Sequence, residues 1–219
     1  LLQWKAKNYL KKHRTQIIAV TGSIGKTSTK NAIHTILKNH FKTHCSEKGF
    51  NTEIGLSLSI LQEEESGFSS ITKWFQILKK IFLEDKKPYE KMVVEMGADH
   101  PGDISKLIKI AKPTIGVITQ IAPVHLAKGQ FQNMEEIAKE KNTLIKNLRK
   151  EGIAITNNDD PLIRQMETES RRLSYGTDEK ADLRADEIKI TAKNLSFTVC
   201  YQDKKETFTV PVLGKFQIY

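Results

Sequence analysis

The stretch Thr21-Gly22-Ser23-Ile24-Gly25-Lys26-Thr27-Ser28 decides the fold of this chain, and it follows the short apolar segment Ile17–Val20. A glycine-rich turn between a buried strand and a helix lets backbone N–H groups point at an anion, and the helix adds its positive N-terminal end. Lys26 can then reach the terminal phosphates of a nucleotide, and the Thr27 hydroxyl can bind the Mg²⁺ that accompanies ATP. The usual nucleotide pattern, G-x-x-x-x-G-K-[ST], would require glycine where Val20 stands. The stretch therefore predicts a phosphate loop of a variant type, the alternative being a glycine-rich turn with an incidental lysine.

The bulk composition is that of an ordinary soluble globular protein. Of the 219 residues, 38% are hydrophobic and 28% are charged, which is typical of globular domains. No segment approaches the roughly 18 apolar residues of a membrane span, and the first residues lack the apolar core of a secretory signal. We therefore expect a cytoplasmic protein. The only two cysteines, Cys45 and Cys200, lie far apart and have no metal-binding spacing.

The formal net charge of +9 has three interpretations. It could serve nucleic-acid binding, it could suit polyanionic small substrates such as ATP or a nucleotide-sugar, or it could be a solvated lysine-rich surface. The lysines are spread over nearly every segment and do not alternate with aromatic residues, so we expect no nucleic-acid partner. The charge alone leaves the other two interpretations open.

The middle of the chain alternates strands with helices. Helices are predicted at 2–12, 26–39, 56–61, 71–82, 101–110 and 133–148, with a further helix beginning at 159–161, and strands at 16–20, 41–45, 91–95, 114–119 and 152–156. In the helix over 26–39 the apolar face would consist of Ala32, Ile33, Ile36 and Leu37. This spacing indicates parallel strands joined by right-handed crossovers.

From about Asp182 the pattern changes to alternating segments typical of antiparallel strands, at Glu187–Thr191, Leu195–Tyr201 and Glu206–Val210. The predicted fold class is therefore α/β: a mostly parallel phosphate-loop sheet flanked by helices, with a small antiparallel patch near the C-terminus.

Two further residues are expected near the loop, because ligands of open α/β sheets bind beyond the carboxyl ends of the strands. Glu95 ends the apolar strand Met92-Val93-Val94 and could hold Mg²⁺ directly or through water. The alternative is a carboxylate that caps a helix or is solvated. His125 follows the loop after strand 114–119 and could bind a metal or a phosphate, the alternative being a capping or core histidine.

Lys141 lies on the apolar stripe of the helix over 133–148, between Ile137 and Leu144. Lys139 and Lys146 point elsewhere and are expected to be solvated. A lysine on a buried face often extends its amine to solvent or pairs with an acid. Alternatively, an amine held in a confined site has a lowered pKa and can react.

At this point the sequence resembles the Mur ligase family, ATP-dependent amide-forming enzymes of peptidoglycan precursor synthesis. The loop has the glycine spacing of that family, which accounts for Val20. The segment Glu95–Ile104 resembles the family member that adds D-alanyl-D-alanine, as do Asn51–Gly55 and Thr156–Pro161. The resemblance covers about Leu10 to Tyr219. It implies residues 1–14 as a linker helix and residues 15–219 as the central ATPase domain, with the family's N- and C-terminal domains absent from this chain.

The resemblance also implies roles for individual residues. Lys26 would contact the β- and γ-phosphates, and Lys141 would correspond to the family's carbamylated lysine. The ATP-binding residues would be Gly22, Ser23, Ile24, Gly25, Lys26, Thr27, Ser28 and Asn157, the last near the adenine. The metal-binding residues would be Thr27, Glu95, His125 and Lys141, of which Glu95, His125 and Lys141 count with Lys26 as catalytic. The peptide-substrate side would be formed by Asn51, Thr52 and Glu53.

The implied reaction adds D-Ala-D-Ala to a UDP-N-acetylmuramoyl tripeptide with ATP and Mg²⁺. The substrate carboxylate attacks the γ-phosphorus to give an acyl phosphate and ADP, and the amine of D-Ala-D-Ala then displaces phosphate. The family usually has Asn at Gln120, Gly at Ala122 and a second Asn at Thr52, so this chain departs from its pattern there. The alternatives are an isolated ATP-binding module without complete ligase activity and a ligase similar to folylpolyglutamate synthases.

Overall fold

The computed structural model describes residues 1–46, 52–63, 71–84 and 86–211. The helices in these ranges are α1 (Leu2–His13), α2 (Lys26–Leu37), α3 (Glu53–Ile60), α4 (Ile71–Leu83), α5 (Asp103–Ile110), α6 (Met134–Lys146) and α7 (Pro161–Arg164). The strands are β1 (Gln16–Thr21), β2 (Thr43–Cys45), β3 (Lys91–Glu95), β4 (Ile115–Ile118), β5 (Ile153–Asn157), β6 (Arg171–Gly176), β7 (Leu183–Ile190), β8 (Leu195–Tyr201) and β9 (Lys204–Val210). None of the described helices is long and apolar enough to cross a membrane.

The described strands form one sheet in the order β2-β3-β1-β4-β5-β6-β7-β8-β9. Every neighbouring pair from β2 to β7 is parallel, whereas β7–β8 and β8–β9 are antiparallel. The predicted fold class is confirmed. Because β3 lies on one side of β1 and β4 on the other, the strand order reverses at β1, and a crevice opens beyond its carboxyl end.

Strand β1 lies at the centre because it is apolar on both faces. Ile17 and Ala19 point into the larger core cluster, while Ile18 and Val20 point into a smaller cluster on the opposite face. This alternation follows the two-residue period of a strand. A parallel strand that is covered by helices on both faces has a continuous apolar sequence. For this reason β1 could be predicted from the sequence.

Helix α1 packs on the domain through Ala6 and Tyr9, which are buried. The Tyr9 hydroxyl donates to the backbone carbonyl of Lys87 at 2.5 Å. Burial raises the pKa of the Tyr9 hydroxyl, and hydrogen bonds from the Tyr89 backbone and the Gln62 amide partly oppose that effect. Residues 2–13 are thus a packed helix of this structure.

Several boundaries and one helix face differ from the sequence prediction, and α3 begins at Glu53, three residues earlier than predicted. Helix α5 begins at Asp103 and not at Pro101, because Gly102 stands before it in a left-handed conformation with φ of 90°. Helix α2 ends at Leu37, and β2 is confined to Thr43–Cys45. Strand β7 spans Leu183–Ile190, four residues earlier than predicted. On α2, Ile33 and Leu37 pack against the small core, but Ile36 is 64% exposed, so the predicted apolar face is wrong there.

Strand β6 was not predicted at all. Its sequence, Arg171-Arg172-Leu173-Ser174-Tyr175-Gly176, is polar, yet it pairs in parallel with β5 from Ile153↔Arg171 onward. The Ser174 N–H and hydroxyl both donate to the carboxylate of Asp182, at 2.7 and 2.6 Å. These bonds hold the pKa of Asp182 below its usual value. A strand stabilised by such side-chain bonds carries little hydrophobic signal.

Replacing Gly152 with alanine is expected to destabilise the fold by about 1–3 kcal/mol, the usual effect of overpacking. A Cβ at Gly152 would lie 2.7 Å from the carbonyl oxygen of Arg149 and 2.9 Å from that of Thr114. Urea unfolding measures the change. Lys150→Ala, at an exposed neighbouring position, is the control and should change stability by less than about 0.5 kcal/mol. Equal stability of the two variants would contradict this account of the turn into β5.

Candidate active site

The predicted phosphate loop is held against the end of β4 by Thr119. The Thr119 hydroxyl donates to the Ile24 carbonyl at 2.6 Å, and its own N–H donates to the Thr21 carbonyl at 3.0 Å. Gly22, with φ of 147°, approaches so closely that a Cβ there would lie 1.9 Å from Thr119 Oγ1. Only glycine fits this approach.

Ser23 adds two bonds to the loop that follows β4. Its N–H donates to the Gln120 carbonyl at 2.7 Å, and its hydroxyl donates to the Ala122 carbonyl at 3.1 Å. Gln120 and Ala122 are two of the positions that depart from the family pattern. Since both contacts use backbone oxygens, either side chain can change without removing them.

Lys26 and Thr27 open helix α2 and converge on Glu95 at the end of β3. The Thr27 hydroxyl donates to Glu95 Oε2 at 2.9 Å, and Lys26 Nζ lies 4.0 Å from Glu95 Oε1 and 3.3 Å from the Ser23 carbonyl. Gly25 caps the helix with φ of 83°, while the side chains of Ile24 and Ser28 are exposed. The Glu95 carboxylate is buried, so burial strengthens its attraction to Lys26.

Lys141 is 2% exposed, and its apolar surroundings lower its pKa. Burial is the largest cause and the positive charge of Lys26 the second; together they bring the pKa to about 8 from an ordinary value of 10.5. The carboxylates of Glu140 and Asp99 act in the opposite direction. Lys139 and Lys146 are exposed, as predicted.

His125 lies beside Asp99, with 3.4 Å between Nε2 and Oδ1. It adopts a left-handed backbone conformation with φ of 57°, which turns the loop after β4 back towards Phe131. Since Asp99 also acts on Lys141, this acid links the two residues that were predicted separately. Asp99 lies four residues after Glu95, and this position could have indicated a site residue. In the sequence, however, the segment was interpreted only as a family motif.

Asn157 is the last residue of β5, and both polar atoms of its side chain form hydrogen bonds within the protein. Its amide donates to the Thr119 carbonyl at 3.0 Å, and its side-chain oxygen accepts from the Asp159 N–H at 3.0 Å. Asp160 accepts from the Ile121 N–H at 2.8 Å and caps α7 through Leu162 and Ile163. With neighbouring side chains these residues line an open pocket of about 320 Å³. The sequence indicated Asp160 only as the start of a helix and assigned no role to Thr119, because their bonds to Ile121 and Ile24 join parts of the chain that are distant in sequence.

The predicted substrate residues have a mixed outcome. Asn51 lies outside the described residues. The Thr52 hydroxyl caps α3 by accepting from the Gly55 N–H at 3.1 Å, and Glu53 Oε1 accepts from Gln3 Nε2 at 2.9 Å. Both side chains therefore have a structural partner in this conformation.

The assignment of Thr27, Glu95, His125 and Lys141 as metal ligands stays a prediction. In the parts of the chain that the structure describes, no group of three or more His, Cys, Asp and Glu side chains could hold a metal ion. The Thr27 hydroxyl and the buried Glu95 carboxylate do supply two adjacent hard oxygens, which suit Mg²⁺ when phosphate oxygens complete the shell. The donor chemistry thus fits magnesium that arrives with a nucleotide.

A glycine-rich loop on a parallel sheet, with a lysine and a hydroxyl at the helix N-terminus, defines a P-loop nucleotide-binding domain. Residues 20–219 match the Mur ligase middle domain, so the chain belongs to the Mur ligase family and the predicted resemblance is confirmed.

Among curated relatives, the UDP-N-acetylmuramoyl-tripeptide–D-alanyl-D-alanine ligase of Bacillus subtilis is 31% identical over 217 residues, covering 99% of this chain and 42% of the relative. The MurF ligase from Thermotoga maritima, solved in complex with ADP, superposes with a TM-score of 0.80 at 29% identity, covering 99% of this chain and 45% of that one. MurF from Acinetobacter baumannii shares the fold, with a TM-score of 0.80 at 24% identity and coverage of 99% and 43%. This chain spans less than half the length of each of these proteins.

Lys141→Met is expected to remove a pH dependence of stability. In the folded state the lowered pKa means that fewer protons are bound between pH 8 and pH 10.5 than in the unfolded state, so the parent protein gains stability as pH rises through that window. The variant should be more stable below pH 8, by up to about 3 kcal/mol, and the difference should shrink towards pH 10.5.

Denaturant unfolding of both proteins in CO₂-free buffer at several pH values measures this difference. Lys139→Met, at an exposed position of the same helix, should differ from the parent by a constant amount. If the stability difference between Lys141→Met and the parent were equally independent of pH, the lowered pKa of Lys141 would be contradicted.

Proposed function

We propose that this chain is the ATP-binding part of a ligase that forms an amide bond through an acyl phosphate in peptidoglycan precursor synthesis. The observation that carries the proposal is the convergence of Lys26 and Thr27 on the buried carboxylate of Glu95. Backbone N–H groups of residues 22–28 would bind the phosphates of ATP at the start of α2. Asn157, the last residue of β5, would lie near the adenine.

In this proposal the Lys26 amine sits beside the β- and γ-phosphates. A substrate carboxylate attacks the γ-phosphorus, and the bond to the β-phosphate breaks to release ADP and leave an acyl phosphate. An amine then attacks the acyl carbon, loses a proton and displaces inorganic phosphate. Both steps build negative charge on oxygen, and a fixed ammonium group in a partly buried site stabilises that charge. Lys26 is already held by the Ser23 carbonyl, so little reorganisation is needed.

Thr27, Glu95, His125 and Lys141 would hold Mg²⁺, which when bound neutralises phosphate charge. A free amine reacts with CO₂, and the lowered pKa of Lys141 raises its neutral fraction at physiological pH. The product, a carbamate, is an anionic oxygen ligand and would replace repulsion from Lys26 with attraction. We therefore propose that Lys141 is carbamylated in the working site.

For the substrates we propose a UDP-N-acetylmuramoyl tripeptide and D-Ala-D-Ala, with Asn51, Thr52 and Glu53 on the peptide side. The support is the name of the Bacillus subtilis relative, which is similar along 99% of this chain. Because the chain spans 42% of that relative, we expect the chain alone to bind ATP·Mg with little ligation. Ligation of the two substrates by the isolated chain would contradict that expectation, and glutamate addition to a folate would favour the folylpolyglutamate alternative.

Lys26→Ala should weaken ATP·Mg binding by about tenfold to a hundredfold, because a hydrogen bond to a charged group contributes about 1.5–3 kcal/mol. Isothermal titration calorimetry measures the affinity. Lys38→Ala, at the exposed far end of α2, removes the same charge and should bind ATP like the parent. An unchanged affinity in Lys26→Ala would overturn the assignment of the loop.

The carbamate at Lys141 is expected to be visible by ¹³C NMR when the protein is equilibrated with ¹³C-bicarbonate. Lys141→Arg, whose guanidinium stays protonated, should lose the carbamate signal, whereas Lys139→Arg should keep it. In a longer protein that carries out the ligation, acetate or formate should partly restore ligase activity to the Lys141→Ala variant. A signal that survives in Lys141→Arg would assign the carbamate to another lysine.

A further inference from the structure

A second charged surface lies at the opposite end of the sheet from the candidate active site. It is a groove of about 660 Å³ whose cationic side chains are Lys7, Lys11, Arg14, Lys109, Lys112 and Arg149. Arg14 comes just before β1, Lys112 just before β4 and Arg149 just before β5, so the groove lies at the amino ends of these parallel strands. The phosphate loop lies at their carboxyl ends, and the two surfaces are therefore separate. We call this surface the basic groove.

Among the described residues, the cations of the basic groove have no side-chain partners. All six are exposed, and within the described ranges none of their side chains forms an ion pair or a hydrogen bond. No Asp or Glu lines the groove in the described part of the chain. Elsewhere the protein does pair its cations, as in Lys106–Asp103 and Arg184–Asp186. The groove is therefore a local excess of positive charge.

Helix dipoles account for only part of that excess. Helices α1, α5 and α6 end at His13, Ile110 and Lys146, close in sequence to the groove, and each C-terminus carries a partial negative charge of about one half. Three such ends balance about one and a half of the six positive charges. The remaining charge would attract a surface that bears many anions.

Trp4 indicates which kind of anionic surface fits. It is 60% exposed and lies on α1 one turn before Lys7 and two turns before Lys11, on the same side of the helix. An exposed tryptophan beside lysines is typical of elements that bind the membrane–water interface. No aromatic side chain lines the described groove as a platform for stacking bases, which disfavours single-stranded nucleic acid.

We propose that the basic groove and Trp4 form a docking surface for a membrane that contains anionic phospholipids. The association is peripheral and electrostatic: the amines and guanidinium groups approach the phosphate head groups, and the indole enters the interface. This proposal is independent of the proposed function, because the active-site residues lie at the other end of the sheet.

Sedimentation of the full 219-residue chain with lipid vesicles tests the proposal. We expect binding to vesicles of phosphatidylcholine mixed with phosphatidylglycerol and none to phosphatidylcholine alone. Raising the salt from about 0.1 M to about 1 M shortens the Debye length from about 10 Å to about 3 Å and should release the protein. The triple variant Lys7→Gln, Lys11→Gln, Arg14→Gln should bind about a hundredfold more weakly, from about fivefold per cation.

The matched control is Lys189→Gln, Lys193→Gln, Lys204→Gln, which removes the same charge from exposed positions of the antiparallel strands and the turn between β7 and β8. It should bind vesicles like the parent, and an equal loss in both triple variants would overturn the proposal in favour of a diffuse charge effect. Tighter binding to duplex DNA than to anionic vesicles would also overturn it. If the groove variant does not fold, Lys7→Gln and Lys11→Gln alone should each weaken binding about fivefold.

ATP·Mg affinity measured on the same variants separates the two proposals. The groove variants should keep the parent affinity for ATP, and Lys26→Ala should keep vesicle binding. Trp4 emission, read in a Trp74→Phe background, should shift to shorter wavelength with anionic vesicles. No shift, in a protein that sediments with them, would exclude the indole from the surface.

Discussion

The close approach of Gly22 to Thr119 is the constraint on which the site depends. Because Gly22 has no side chain, the loop after β1 comes within bonding distance of the end of β4, and the Thr119 hydroxyl fixes it through the Ile24 carbonyl. That fixed loop sets the start of α2, which brings the Thr27 hydroxyl to 2.9 Å from Glu95 at the end of β3. Three neighbouring strands thus each supply one part of a single site, and a shift of any one would separate the others.

Lys141 is buried although a charged amine in its position is unfavourable. Its surroundings remove water, and Lys26 adds a like charge, so the site opposes protonation of Lys141. An arrangement that lowers stability but raises the neutral fraction of one amine is expected where the amine has chemistry to perform. The Glu140 carboxylate supports this placement, since it accepts from the N–H groups of Gly102 and Ile104 and so ties α6 to the start of α5.

The sequence predicts those parts of the molecule that depend on local patterns. Strand β3 is a continuous apolar run ended by a charge, and its predicted bounds, Lys91–Glu95, are the observed ones. Strand β6 is stabilised by Asp182, eight residues after Ser174, and no local apolar pattern reports such a bond. Likewise Thr119 gains its role only when β4 lies beside β1, and the pairing of Asp99 with His125 needs two separate loops to meet. Charge, glycine spacing and hydrophobic runs are local properties, whereas these contacts are made by the fold.

The direction of the parallel strands gives the two ends of the sheet opposite chemistry. At the carboxyl ends, helix α2 begins, and its unpaired N–H groups and Gly22–Thr27 form a rigid anion site whose geometry is set by the backbone. At the amino ends, helices finish with unpaired carbonyls, so an anion can be attracted there only by long side chains that outweigh the helix dipoles. The first kind of site selects a ligand by shape, and because it is partly buried its binding depends little on salt. The second kind attracts any dense array of phosphates, and its binding weakens as ionic strength rises. The two proposed sites, a nucleotide site at one end and a docking surface at the other, would therefore not compete with each other.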